Sequence, residues 1–175
     1  MTSRRRTPSS TDLTRGRRIT RCRLEPFEQP EKLLWHVEFY EAREAPIFEV
    51  PLARRLLSRG TAHTGAMTRV VFNATFYLLP AYQRSGFARA LYDAEATLYR
   101  RWGVCEIQLQ AQRDGLSVWI KKFGFQPMDP GHVFAAYPSW ARRNQLDPEP
   151  PSRIQDLPDA YLQTRDQLDL YKVLS

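Results

Sequence analysis

Two cysteines, three histidines and eight glycines are a thin supply of the residues that most often build disulfides, metal sites and phosphate loops. Cys22 and Cys105 lie far apart, and free thiols in a reducing cytosol are the expectation for them. His36, His63 and His132 have no partner at metal-ligand spacing, so no metal is expected. No apolar run approaches the ~20 residues of a membrane span, and no apolar core near the N-terminus suggests a secretory leader. A cytoplasmic protein without membrane contact is therefore expected. No Gly-Lys-Ser/Thr follows a glycine-rich loop, and no G-x-G-x-x-G is present, which sets aside the two commonest nucleotide fingerprints. What the chain does have is a 42% hydrophobic content over 175 residues, enough for one domain with a real core.

The net charge of +7 is unevenly spread. Residues 1–23 hold eight arginines and a single acid, Asp12, while the remaining 18 basic and 18 acidic residues cancel. The basicity belongs to an arm on a neutral body. Residues 1–18 are polar and nearly free of apolar side chains, so they are expected to be disordered. Such an arm suits a polyanion, and it equally suits a plain solubilising tail. Residues 19–175 are expected to form the single folded domain.

Within that body ITRCRLEPF carries a loose two-residue period, and KLLWHVEFYEARE alternates more clearly, so both predict strands. PLARRLLSRG predicts a short helix, begun by Pro51 and stopped by Gly60. TAHTGAMT predicts a turn. RVVFNATFYLLP is rich in β-branched and aromatic residues on both parities, which predicts a strand covered on both faces and ended by Pro80. Residues 85–102 have helical spacing, with Phe87, Leu91, Ala94, Leu98 and Trp102 as the buried stripe and Gly103 as the stop. VCEIQLQAQ predicts a strand, with Cys105, Ile107 and Leu109 alternating against Glu106, Gln108 and Gln110. Asp114 then caps a helix whose Leu116, Ile120 and Phe123 share a face, and Gly124 closes it. A strand–helix–strand–helix order over 70–123 implies a right-handed parallel crossover. After Pro127 the pattern weakens. PSWARRNQ and DLPDAYLQTRDQ predict short helices, and DLYKVL predicts a last strand.

The short stretch YQRSGFARAL stands where the covered strand gives way to the helix. A helix N-terminus exposes unpaired N–H groups and a partial positive charge, and a tight turn can aim them at an anion. Gly86 removes a side chain where backbone must approach a ligand, Ala88 keeps the next contact small, and Gln83 and Arg84 can donate from the side. From the residues alone, an anion site and an ordinary strand–helix turn both remain open.

Q-R-S-G-F-A also resembles the Q/R-x-x-G-x-G/A signature of the GNAT superfamily of N-acyltransferases. The strand EIQLQ, the following helix and the Gly124–Phe125 pair continue in the order of that family, and the resemblance spans about residues 70–127. It implies an α/β (α+β) fold with a mixed, splayed central sheet flanked by helices, and acetyl-CoA or another acyl-CoA lying in the gap as co-substrate. By the same resemblance, backbone groups at Leu78 and Leu79 would pair with the pantetheine arm. Gln83, Arg84, Ser85, Gly86, Phe87 and Ala88 would hold the pyrophosphate. A primary amine, on a small molecule or a peptide, would attack the thioester directly.

That chemistry needs a route for the amine's proton, a donor for the thioester oxygen, and an acid near the leaving thiolate. Glu106, Glu38, Tyr40 and Tyr77 are the candidate bases, because they sit on polar parities of strands near the expected gap. The family's tyrosine ahead of Gly-Phe would fall near Ile120 or Trp119, and Arg113 and Asp114 stand where its asparagine would be. Ser117 is the substitute candidate for the acid, as are Tyr137 and Tyr77. Asn73, Thr75 and Tyr77 share a strand face that would line an acceptor pocket. Lys121 and Lys122 are within plausible reach of the adenosine phosphate, and residues 128–168 are placed to cover the acceptor side. Two other readings stand beside the enzyme: an acyl-CoA-binding domain that performs no transfer, and a nucleic-acid-associated protein that uses its arginine arm.

Overall fold

A computed structural model describes residues 19–29, 32–41, 52–73, 76 and 83–175. The basic arm at 1–18 and the stretch holding Thr75, Tyr77, Leu78 and Leu79 lie outside the described residues. Among the described residues seven strands form one sheet in the order β1-β2-β3-β4-β5-β7-β6. β1 (Ile19–Gln29), β2 (Lys32–Glu41), β3 (Leu52–Thr61) and β4 (Met67–Asn73) make an antiparallel meander. Helix α1 (Phe87–Arg101) then carries the chain across to β5 (Glu106–Gln112), which runs parallel to β4. This is the crossover that the strand–helix–strand order implies.

Two short helical pieces follow, α2 (Arg113–Ser117) and a π-turn over Val118–Lys122. β6 (Gln126–Pro127), α3 (Pro130–Arg143), a 3₁₀ turn at Ile154–Asp156 and α4 (Asp159–Leu162) precede β7 (Gln167–Val173), which pairs antiparallel with both β5 and β6. The mixed α/β layout with flanking helices is the one expected. Among the described residues its central ladder joins β4 to β5 from Val70–Glu106 to Asn73–Leu109, and β5 continues to Gln112 against β7.

Four local expectations are corrected. PLARRLLSRG is strand β3, hydrogen-bonded on both edges, and not a helix. A register shift between Leu57 and Gly60 interrupts the two-residue alternation, which disguises the strand in sequence. Gly60 is required by close approach: a β-carbon there would lie 3.1 Å from Val70 Cβ. In α1 the buried residues are Phe87, Leu91, Tyr92, Ala96 and Tyr99. Ala94 is exposed and Leu98 is 40% exposed, so the stripe is turned from the purely aliphatic one, because two tyrosine rings face inward.

The third correction concerns α2, which starts at Arg113 with Gln112 as its N-cap, placing Asp114 one residue inside. The fourth concerns PSWARRNQ, which is only the second half of α3. That helix begins eight residues earlier, at Pro130, where Asp129 Oδ1 accepts from His132 N at 2.9 Å, and Pro138 lies in its interior.

The core joins both halves of the described body. Val71, Ile107, Leu109 and Leu170 supply the sheet, and Leu116, Ile120, Phe125, Val133, Leu157 and Leu162 the helical cover, all nearly or wholly buried. Arg54 on β3 is also wholly buried and grips Glu95 of α1, with Nε to Oε1 at 2.9 Å and Nη2 to Oε2 at 3.3 Å. Burial opposes its charge, but Glu95 and Tyr99 outweigh that and hold its pKa above the ordinary value. This fork fixes α1 over the sheet and so fixes the turn that precedes it.

Candidate functional site

The turn before α1 is built on two left-handed residues, Arg84 at φ 58° and Gly86 at φ 86°. A β-carbon is strained in that region, so glycine suits the second position, where the helix begins. Gly86 is the N-cap and carries no side chain to close the helix end. The first helical bond runs from Ala90 N to Gly86 O at 3.1 Å. The amides ahead of Ala90 therefore have no partner inside the helix. Ser85 Oγ accepts from Phe87 N at 3.3 Å. No acidic side chain occupies the first turn, which leaves the positive end of the helix dipole uncompensated there.

This turn forms one wall of a cleft of about 580 Å³, through Gln83, Arg84 and Ala88. Gly115, Ser117, Val118, Trp119 and Phe123 form its floor, and Asp159 and Gln163 stand on a further wall. Phe76 also lines it and meets Trp119 edge-on, with ring centres 5.5 Å apart. The walls are tied together. Arg89 of α1 donates to Lys122 O at 2.7 Å and lies over the Phe123 ring. On the other side Ser117 Oγ donates to Asp159 Oδ1 at 2.8 Å, and Lys121 Nζ is 2.5 Å from the same oxygen. The hydrogen bonds from Lys121 and Ser117 hold the Asp159 carboxyl below its usual pKa. Behind the floor, Lys172 donates to Phe123 O, and burial, with Arg89 and Arg100 nearby, lowers its pKa. The result is an elongated site with helix-end amides and Arg84 at one wall, an aromatic floor, and one anchored carboxylate.

The π-turn decides which residue of the floor meets this space. Its Phe123 N reaches back five residues to Val118 O at 3.2 Å, one residue more than an α-turn would span. Of the two residues that counting back from Gly124 gives, Ile120 is wholly buried and Trp119 lines the cleft.

The expected site residues separate accordingly. Gln83, Arg84 and Ala88 line the cleft, and Ser85, Gly86 and Phe87 belong to the same turn, with the Phe87 ring in the core. Ser117 also lines it, but its hydroxyl is given to Asp159. Tyr77, Leu78 and Leu79 lie outside the described residues. Glu106 is not brought to the turn. It opens β5, six residues before the end that feeds α2, a span of ~20 Å. There it is buried and accepts from His63 N at 3.0 Å and Gln108 Nε2 at 2.7 Å, with His63 Nδ1 at 2.5 Å. Tyr137 is buried against Trp140 and Tyr161, so it does not fold back to the turn. Asn73 is buried at the end of β4, and its Oδ1 has no hydrogen-bond partner.

Phe76, Val118, Asp159 and Gln163 enter the cleft unannounced by motif. The helix count from Gly124 gives Trp119 as one of its two positions, whereas Asp159 and Gln163 arrive only through tertiary packing of the late segment. Among the described residues no three metal-ligating side chains come together, and no helix is long and apolar enough to cross a membrane.

No protein-family model matches this chain, and no curated protein matches it. Among solved structures it is similar to a nourseothricin acetyltransferase at 11% identity, covering 83% of this chain and 67% of that one, with a TM-score of 0.45. It is similar to a GNAT-family acetyltransferase from Elizabethkingia anophelis, solved with acetyl-CoA bound, at 10% identity over 89% of this chain and 99% of that one, TM-score 0.43. A third similar structure is a Bacillus subtilis acetyltransferase in complex with CoA, at 14% identity over 89% of this chain and 100% of that one, TM-score 0.43.

Proposed function

We propose that this protein is an acyl-CoA-dependent N-acyltransferase whose single domain spans residues 19–175. The observation that carries the reading is the cleft itself: the Gln83–Ala88 turn, with its glycine N-cap, opens directly onto a floor of Gly115, Trp119 and Phe123. A diphosphate fits helix-end amides backed by Arg84, and an extended, weakly polar arm fits the aromatic floor. The acyl-CoA supplies the activated thioester. The chain's own contribution is to hold both substrates close, which accounts for much of the rate in such a transfer. The amine attacks the thioester carbon as its N–H proton leaves to solvent or to a base, and the sulfur departs as thiolate. The Ser117 hydroxyl lines the floor with its one proton given to Asp159, so the thiolate takes its proton from solvent.

The acceptor is a small molecule or a peptide carrying a primary amine, and acetyl is the donor group to try first. The arm at 1–18 gives a neutral body a means of reaching a polyanion. The experiment is release of free thiol from acetyl-CoA across a panel of amines. Turnover with at least one acceptor, lost in Gly86→Glu, is the expected result. Acetyl-CoA bound at the cleft but never consumed with any amine would leave the domain as a binder only.

A further inference from the structure

The cleft contains a polar group that the turn-and-phosphate reading does not use. Trp119 is half-buried, and its ring is held by three aromatic neighbours, with centres 5.5 Å from Phe76, 4.9 Å from Phe123 and 5.3 Å from Phe125. Such packing fixes the orientation of the indole and therefore of its N–H. The edge that carries the nitrogen faces Gly115. A β-carbon at Gly115 would sit 3.6 Å from Trp119 Cδ1 and 3.7 Å from Nε1, so the absence of a side chain there leaves that edge uncovered. Gly115 and Trp119 line the same cleft. An indole nitrogen is a donor only, and a partly buried one ordinarily finds an acceptor. The Trp119 carbonyl accepts from Phe125 N at 3.0 Å, but its indole N–H makes no hydrogen bond among the described residues.

We infer that the Trp119 indole N–H, exposed across Gly115, donates a hydrogen bond to a carbonyl oxygen of the amide-bearing arm of the acyl donor, and so positions that arm in the cleft. The inference rests on the acyl-CoA reading of the site. It assigns Trp119 to positioning and not to proton transfer, because an indole N–H is too weak an acid to protonate a thiolate. The π-turn gives this residue its place. An ordinary α-turn would change which side chain the floor presents, whereas here Ile120 is committed to the core and Trp119 to the cleft. Because the bond forms to the bound arm in general, its loss should appear in donor affinity, with little change in turnover at saturating donor.

The direct test is a nitrogen-15 spectrum of the indole N–H signals. The chain has four tryptophans, and Trp119→Phe identifies the signal of interest by its absence while keeping an aromatic ring among Phe76, Phe123 and Phe125. On titration with CoA, the Trp119 signal is expected to move downfield and saturate in step with the Gly86 amide. Trp119→Phe is expected to bind CoA about fivefold more weakly, the worth of one neutral hydrogen bond. Gly115→Val, which covers the same edge while leaving the indole itself in place, should weaken CoA to a similar degree. A Gly86 amide that shifts while the Trp119 indole stays still overturns this inference alone, as does unchanged affinity in Trp119→Phe. A titration that moves no signal anywhere removes the acyl-CoA reading and this inference with it.

Discussion

At its first residue β5 buries a carboxylate among donors; past its last residue it opens a cleft. Glu106 sits 2% exposed, with the His63 backbone, the His63 ring and Gln108 all turned toward its oxygens. The His63 ring is further stacked on Tyr171, with centres 3.9 Å apart. Beyond Gln112 the same strand leads to Gly115, Ser117 and Trp119, which face a 580 Å³ space across from the turn at Gly86. The lesson of the contrast is that a buried acid is not a reactive one. At the closed end polar groups satisfy each other, as a stable interior requires. At the open end the glycine-capped turn and the Trp119 indole edge border the cleft.

The sharpest way to break this contrast is to exchange the roles. Glu106→Ala strands the His63 and Gln108 donors in a buried place and should lower stability by about 3 kcal/mol, read as a drop in denaturant midpoint, with CoA affinity scarcely changed. A loss of CoA binding without a loss of stability would move Glu106 back to the site. Gly86→Glu should do the reverse. It adds a β-carbon at φ 86° and a negative charge where the diphosphate belongs, and should weaken CoA about 100-fold, equivalent to ~2.7 kcal/mol, at a stability cost of only about 1 kcal/mol.

Smaller changes sharpen the picture of the open end. Arg84→Ala removes one exposed charge from the turn and should weaken CoA roughly fivefold, with the deficit shrinking as salt is raised. Insensitivity to salt would indicate that Arg84 does not meet the phosphates. Asp159→Asn is the mildest. Its carboxyl pKa is depressed in the folded state, so the stability it provides is present above the unfolded value near pH 4 and is lost as the pH falls through the lower folded value. Because the side chain is 59% exposed, the effect should be under ~1 kcal/mol at neutral pH. The difference between the variant and the wild type should vanish in acid, and a difference that grows on acidification would contradict the assignment.

Much of the open end is legible in the sequence because it depends on neighbours along the chain. The start of the covered strand (Met67–Asn73), the Q-R-S-G-F-A turn and the helix stop at Gly103 are local matters of apolar density and glycine conformation, and these described parts stand where they were expected. Glu106 was chosen by parity alone: a polar side of a strand points equally well to a cleft or to a buried partner, and His63 lies 43 residues away. β3 escaped notice because its bulge scrambles alternation and its inward residue, Arg54, is charged. Counting back from Gly124 left Ile120 and Trp119 as alternatives, and Asp159 was hidden by its dependence on how the late helices dock.

The central claim is that the turn at Gly86 binds the diphosphate of CoA. Calorimetric titration with CoA of the wild type, Gly86→Glu and Glu106→Gln tests it most directly. One site per chain, lost about 100-fold in Gly86→Glu and intact in Glu106→Gln, is the predicted result. No binding by the wild type, or binding that Gly86→Glu leaves undiminished, would contradict it.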